Sequence, residues 1–155
     1  MKILSTFILV LFMAKGCNNS SSESKSELQK ESKNITFEYE ANTRGSYLKR
    51  VVKEDGAYAT IERGGSLDQK SLSKTDWDAL LTIASKVDVA KIQDLKAPSD
   101  ARFYDGAKMA NLRVIYNEKT YESATFDHGN PPAEIKDLVN KILEVSNPDA
   151  KKDDN

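Results

Sequence analysis

The 155-residue chain is poor in the residues that most often carry chemistry, with one cysteine, one histidine and one tryptophan. A single cysteine leaves no partner for a disulfide within the chain. One histidine and one cysteine cannot supply the four ligands of a structural zinc site. No Gly-x-Ser-x-Gly elbow is present, and Gly64-Gly65 lacks the spacing and the lysine of a phosphate-cradling loop. Acidic residues are plentiful, yet no pair stands out for glycoside chemistry, and Asp149, Asp153 and Asp154 lack calcium-loop spacing. Charge of one sign is not in excess either: 23 basic residues face 24 acidic ones, with a pI near 5.9. The basic patch that nucleic-acid binding requires is missing. No catalytic group, metal or cofactor is therefore indicated.

What is present begins with an address. Met1-Lys2 gives a positive start, and Ile3 to Ala14 is an apolar run interrupted only by Ser5 and Thr6. It is too short for a membrane-spanning helix, which needs about 20 apolar residues, and fits the apolar region of a signal peptide, about 7–15 residues. Ala14-Lys15-Gly16-Cys17 follows. Gly16-Cys17 resembles the lipobox of bacterial lipoproteins, whereas Lys15 departs from the Ser, Ala or Thr usual in its slot. The resemblance implies cleavage before Cys17, diacylglyceryl and palmitate-type acylation there, and a membrane anchor in the cell envelope, the outer membrane being favoured. Two or three acyl chains anchor stably where one does not, each buried CH₂ contributing about 0.8 kcal/mol.

Asn18 to Lys33 holds a single apolar residue, Leu28, and no aromatic. Such a stretch cannot bury enough surface to offset its ordering entropy and reads as a tether. Pro148 to Asn155 reads as a disordered tail. The expected organisation is a signal peptide over 1–16, lipidated Cys17 and tether over 17–33, one domain over 34–147 and a tail over 148–155.

Within the domain, Ile35, Phe37, Tyr39 and Ala41 alternate with polar residues, the mark of a half-buried strand. Ser46 to Glu54 and Ala57 to Arg63 flank Asp55-Gly56, a hairpin signal with a type I′ turn expected. Ser73 is placed to cap a helix with Asp76 in its first turn, and Trp77, Leu80, Leu81, Ala84 and Val87 form its apolar stripe. The scheme then recurs: a short strand over Ala101 to Tyr104, a turn at Asp105-Gly106, an alternating strand through Ala110, Leu112, Val114 and Tyr116, a third strand over Thr120 to Phe126, and a second helix. Asn130 is its expected cap, and Ile135, Leu138, Val139, Ile142 and Leu143 its stripe. The fold class is α+β, a single domain with an antiparallel sheet and two helices on one face, in a βββα-βββα pseudo-repeat.

Two segments are candidates for a binding site. Pro98 to Ala107 joins a rigid turn to Arg102, Phe103, Tyr104 and Asp105, and arginine and tyrosine are favoured anchors at protein interfaces. Asp127-His128, between the last strand and last helix, holds the only histidine beside a carboxylate. Both segments leave strands near the sheet rim, which is expected to line them up. The candidate residues are thus Arg102, Tyr104, Asp105, Asp127 and His128; the plainer alternative for the first segment is Phe103 in the core and Arg102 paired with Asp100 or Asp105 at the surface.

Tyr121 to Leu143 resembles small, uncharacterised Gram-negative envelope lipoproteins, a resemblance that implies no activity. Anchor, spacer and one small domain without a reactive cluster point to a non-catalytic binding or interaction module. Its expected partners are the membrane, through lipid, and an envelope protein, with the domain in the periplasm or exposed outside. That reading expects an exposed apolar or aromatic patch on the uncovered sheet face. The alternatives are an envelope hydrolase using Asp127, His128 and Arg102, or a small-ligand carrier, which needs an apolar cavity.

Overall fold

A computed structural model describes residues 34–148. The expected signal peptide, Cys17, the tether and all but the first residue of the tail lie outside them. The described chain forms one sheet of seven strands: β1 (Ile35–Asn42), β2 (Tyr47–Lys53), β3 (Gly56–Thr60), β4 (Asp68–Lys70), β5 (Met109–Tyr116), β6 (Lys119–Glu122) and β7 (Phe126–Asp127). Their order is β4-β3-β2-β1-β5-β6, all pairs antiparallel, and β7 pairs the start of β5. Two helices, α1 (Lys74–Ala84) and α2 (Lys136–Val145), pack on one face. The α+β class is as expected.

The alternation in β1 places Ile35, Phe37, Tyr39 and Ala41 in the core, with Leu112 and Val114 of β5 and Val52 of β2 on the same face. Trp77, Leu80 and Leu81 of α1, and Leu138, Val139 and Ile142 of α2, close over them. Phe37 meets Trp77 edge-on, with ring centroids 6.0 Å apart. Ser73 caps α1 as its sequence suggests: its Oγ accepts from the Asp76 amide (3.0 Å) and donates to the Asp76 carboxylate (2.7 Å). Lys141 of α2 reaches the same carboxylate at 2.9 Å, tying the two helices together.

Several expectations are corrected. Ala101–Tyr104 is a turn of 3₁₀ helix rather than a strand, because the Asp127 carboxylate draws two successive amides, those of Ala101 and Arg102, to one point. β4 is an unexpected strand, so the first half has four strands and the second three, which weakens the pseudo-repeat. The β2–β3 hairpin turns at Glu54-Asp55, since Lys53 pairs with Gly56. Both residues with positive φ that a type I′ turn requires occur instead at Asn117 (46°) and Glu118 (66°), between β5 and β6. The strand expected over Thr120 to Phe126 is two pieces, β6 and β7. Between them buried Ser123 takes over the ladder, its Oγ accepting from the Leu112 amide and its own amide donating to the Leu112 carbonyl.

The uncovered sheet face carries charge, not an apolar patch. Glu38 stands between Lys49 (3.3 Å) and Arg113 (3.6 Å), and Arg113 continues to Glu122 (3.0 Å), while the Asn111 amide also donates to Glu122. These side chains are partly exposed, from 19% at Glu38 to 44% at Glu122, so solvent screens the pairs in part and each contributes modestly. The large exposed hydrophobics among the described residues, Ile61, Leu67, Phe103, Tyr104 and Met109, lie elsewhere. The register puts all of them at one end of the sheet: Asn42 pairs with Met109 and Tyr47, Thr60 with Lys49, and Asp68 with Ala59. The chain enters β1 at the opposite end.

Candidate functional site

Asp127 ends the short strand β7, where pairing with Met109 turns it toward the loop that precedes β5. Its carboxylate is buried and takes four hydrogen bonds. Oδ2 accepts from Ser99 Oγ (2.6 Å) and the Ala101 amide (2.8 Å); Oδ1 accepts from the Arg102 amide (2.9 Å) and the Arg102 guanidinium (3.1 Å). Arg102 is equally enclosed, its side chain 7% exposed, and also donates to the Ser99 carbonyl at 2.6 Å. Burial by itself would raise the Asp127 carboxyl; the bonds from Ser99, from the Arg102 amide and guanidinium and from the Ala101 amide outweigh it and hold the group down at about 2. Asp100, exposed, lies 3.4 Å from the same guanidinium.

This clamp determines what the turn displays. With Arg102 drawn inward, the next two side chains point out: Phe103 is 66% exposed and Tyr104 74%. The guanidinium lies over the Phe103 ring, 4.2 Å from its centroid, and steadies one face of it. Asp105 ends the turn in the left-handed region, at φ 60°, and the Gly106 amide closes it on the Ala101 carbonyl (2.9 Å). A Cβ at Gly106 would sit tightly there, 3.2 Å from both Ala101 Cβ and the Tyr104 ring. Phe103, expected in the core, is outside; Arg102 does pair with Asp100 as expected, but with its side chain enclosed and with Asp127 as a nearer partner.

His128 does not join Asp127. Its backbone amide donates to the Lys108 carbonyl (2.9 Å), and its ring turns to the core face, where Nδ1 and the Tyr39 hydroxyl share a hydrogen bond of 2.7 Å. Burial, then the nearby Lys108 and Arg50, push the imidazole below its ordinary value, and burial pushes the Tyr39 phenol up. Tyr39 also packs against Phe126. Charging the ring would place a cation in a half-buried site beside Lys108 and Arg50. The folded state therefore favours neutral His128, and stability is expected to fall as pH drops below about 6.5, the unfolded value. In Tyr39→Phe the hydroxyl is gone and the ring nitrogen loses its partner, at a cost of about 1 kcal/mol. Urea titrations from pH 7.5 to 5 check both, and a His128→Gln chain should lose the pH slope in that window.

Asn130 is not a helix cap. Its amide donates to Ser99 Oγ (2.7 Å), adding a further tie to the clamp, and α2 is entered through a 3₁₀ turn at Ala133–Ile135 behind Pro131-Pro132. Arg102, Tyr104, Asp105 and Asp127 therefore form one structure, with His128 beside it but committed elsewhere. Ser99, Asn130 and Tyr39 were not foreseen, though Tyr39 sits on the apolar face of a plainly alternating strand. No family model, curated protein or solved structure matches the chain.

Proposed function

We propose that the chain is a lipid-anchored envelope protein whose domain is a non-catalytic interaction module, with the Phe103–Tyr104 turn as its contact surface. The observation that carries this reading is the clamp. A buried arginine–carboxylate pair with four bonds to one carboxylate holds two adjacent aromatics in solvent. Large exposed aromatics on a rigid turn suit an interface, since little side-chain and loop entropy is lost on binding. The turn also lies at the end of the sheet opposite the one where the chain enters β1, away from the point where a tether would attach.

A hydrolase built on Asp127, His128 and Arg102 is the weaker reading. Both oxygens of Asp127 are committed to the clamp, and the imidazole Nδ1 is committed to Tyr39.

The test uses the full chain in envelope membranes, with a photo-crosslinking residue at Asp105. Crosslinked partners should be lost when Phe103 and Tyr104 are both changed to Ser and kept when Ile61 is changed to Ser. The unfolding midpoint should move little, as surface changes usually cost within about 0.5 kcal/mol. Unchanged crosslinks in the double variant would remove the turn as the contact surface. The anchor is checked separately: a clickable palmitate should label the chain, and Cys17→Ser should abolish the label.

A further inference from the structure

Charge around the Phe103–Tyr104 turn is out of balance. The carboxylates of Asp100, Asp105 and Asp127 stand against one guanidinium, that of Arg102. Asp127 holds the guanidinium at 3.1 Å and Asp100 lies 3.4 Å from the same nitrogen, so one cation serves both. Asp105 has no hydrogen bond or ion pair through its side chain among the described residues, and neither has the Tyr104 hydroxyl. Asp100 and Asp105 are exposed, and they stand on either side of the aromatic pair in the chain. The nearby cations belong to other groups. Lys108 adjoins His128, whose backbone it binds and whose imidazole feels its charge. Arg63 lies over the Tyr47 ring, 5.3 Å from its centroid, and Arg44 stands in the loop between β1 and β2.

The rings favour a partner of the same charge as the carboxylates do. The face of an aromatic ring is the negative part of its quadrupole and attracts an arginine or lysine within about 6 Å. Phe103 already holds a guanidinium over one face, and the exposure of both rings leaves surface for another. An anionic partner would meet Asp100 and Asp105 head-on. A purely apolar one would take them out of water with no counter-charge, which is costly. With the turn taken as the contact surface, on which this rests, we propose that the element it receives is a cationic segment of a partner protein. An arginine or lysine of that segment lies on the exposed rings, with Asp100 and Asp105 as its counter-charges. Arginine suits the place better, because its planar guanidinium both stacks on a ring and pairs with a carboxylate.

A library of random twelve-residue peptides displayed on phage is panned against the full chain and counter-selected on Phe103→Ser/Tyr104→Ser. Peptides kept by the wild type and lost by that variant are specific to the turn. They are expected to carry net positive charge, with arginine enriched over lysine. One of them, resynthesised, should bind about tenfold more weakly to Asp100→Asn/Asp105→Asn, which keeps both aromatics and whose unfolding midpoint should match the wild type. Its Kd should also rise between about 50 and about 500 mM salt. Turn-specific peptides that are neutral or acidic, or that bind the double Asn variant as tightly as the wild type, would overturn the cationic partner and leave the turn as the contact surface. Recovery of no turn-specific peptide would remove both. Tetra-N-acetylchitotetraose serves as a neutral glycan probe: binding that needs the aromatics and ignores the double Asn change would assign the turn to sugar and overturn the proposal.

Discussion

Arg102→Ala is expected to destabilise the domain by about 3 kcal/mol, the low end of what breaking a buried ion pair costs. The low end applies because Asp127 keeps the Ser99 hydroxyl and two backbone amides. The loss has a second consequence, since the turn over Ala101–Tyr104 is drawn inward by the same carboxylate. Without the guanidinium, Phe103 loses the group lying over its ring and the turn loosens. Crosslinking through the turn should weaken even where the domain stays folded. Chemical denaturation gives the stability, and amide exchange at Ala101 and Arg102 gives the local loosening. Unchanged exchange at those amides would show that the clamp does not order the turn. The same carboxylate sets a pH dependence. Its folded value of about 2 lies below the ordinary 3.8, so its contribution is complete above the unfolded value and is lost as pH falls from about 4 toward 2. In Asp127→Asn that acid slope should disappear, together with much of the stability.

Phe37→Ala is expected to cost about 4 kcal/mol. Phe37 is fully buried at the centre of β1, and truncation of a buried phenylalanine costs about 3–5 kcal/mol through lost transfer energy and the cavity left behind. For a domain of this size that is a large part of the total, about 5–15 kcal/mol. The variant also removes the edge-on partner of Trp77, so emission should move to longer wavelength in the folded protein. A midpoint within a few degrees of the wild type would mean that α1 collapses into the gap, and that Trp77 is less firmly seated than its burial indicates.

The sequence carried the architecture further than it carried the site. The alternation of Ile35, Phe37, Tyr39 and Ala41 and the stripes of α1 and α2 follow from burial of one face, a regular signal that neighbours reinforce. Ser73 was readable because its bonds are local, spanning three residues. The clamp was not, because Asp127 gathers donors from Ser99 to Arg102, far away in the chain, and a carboxylate that binds two successive amides turns an expected strand into a 3₁₀ turn. The proximity of the two segments was foreseen from their places at the rim; the enclosure of Arg102 and the exposure of Phe103 were not, since composition ranks arginine as a surface residue and phenylalanine as a core one. Asn130 failed as a cap for a related reason: its side chain found Ser99 instead of the helix it precedes.

The central pairing of the sheet bears on the order in which the domain can form. β1 and β5 make its longest ladder, joining Ile35 to Tyr116 and Asn42 to Met109. Everything from β2 to the turn that presents the aromatics must be in place, or at least available, before that ladder closes. Pairings so distant along the chain are slow, because loop closure precedes any reward in contacts. A nascent chain that stops short of Met109 can form the β1-to-β4 meander and α1, with one edge of β1 unpaired and the core uncovered by α2. Completion of the sheet thus waits on the last third of the polypeptide.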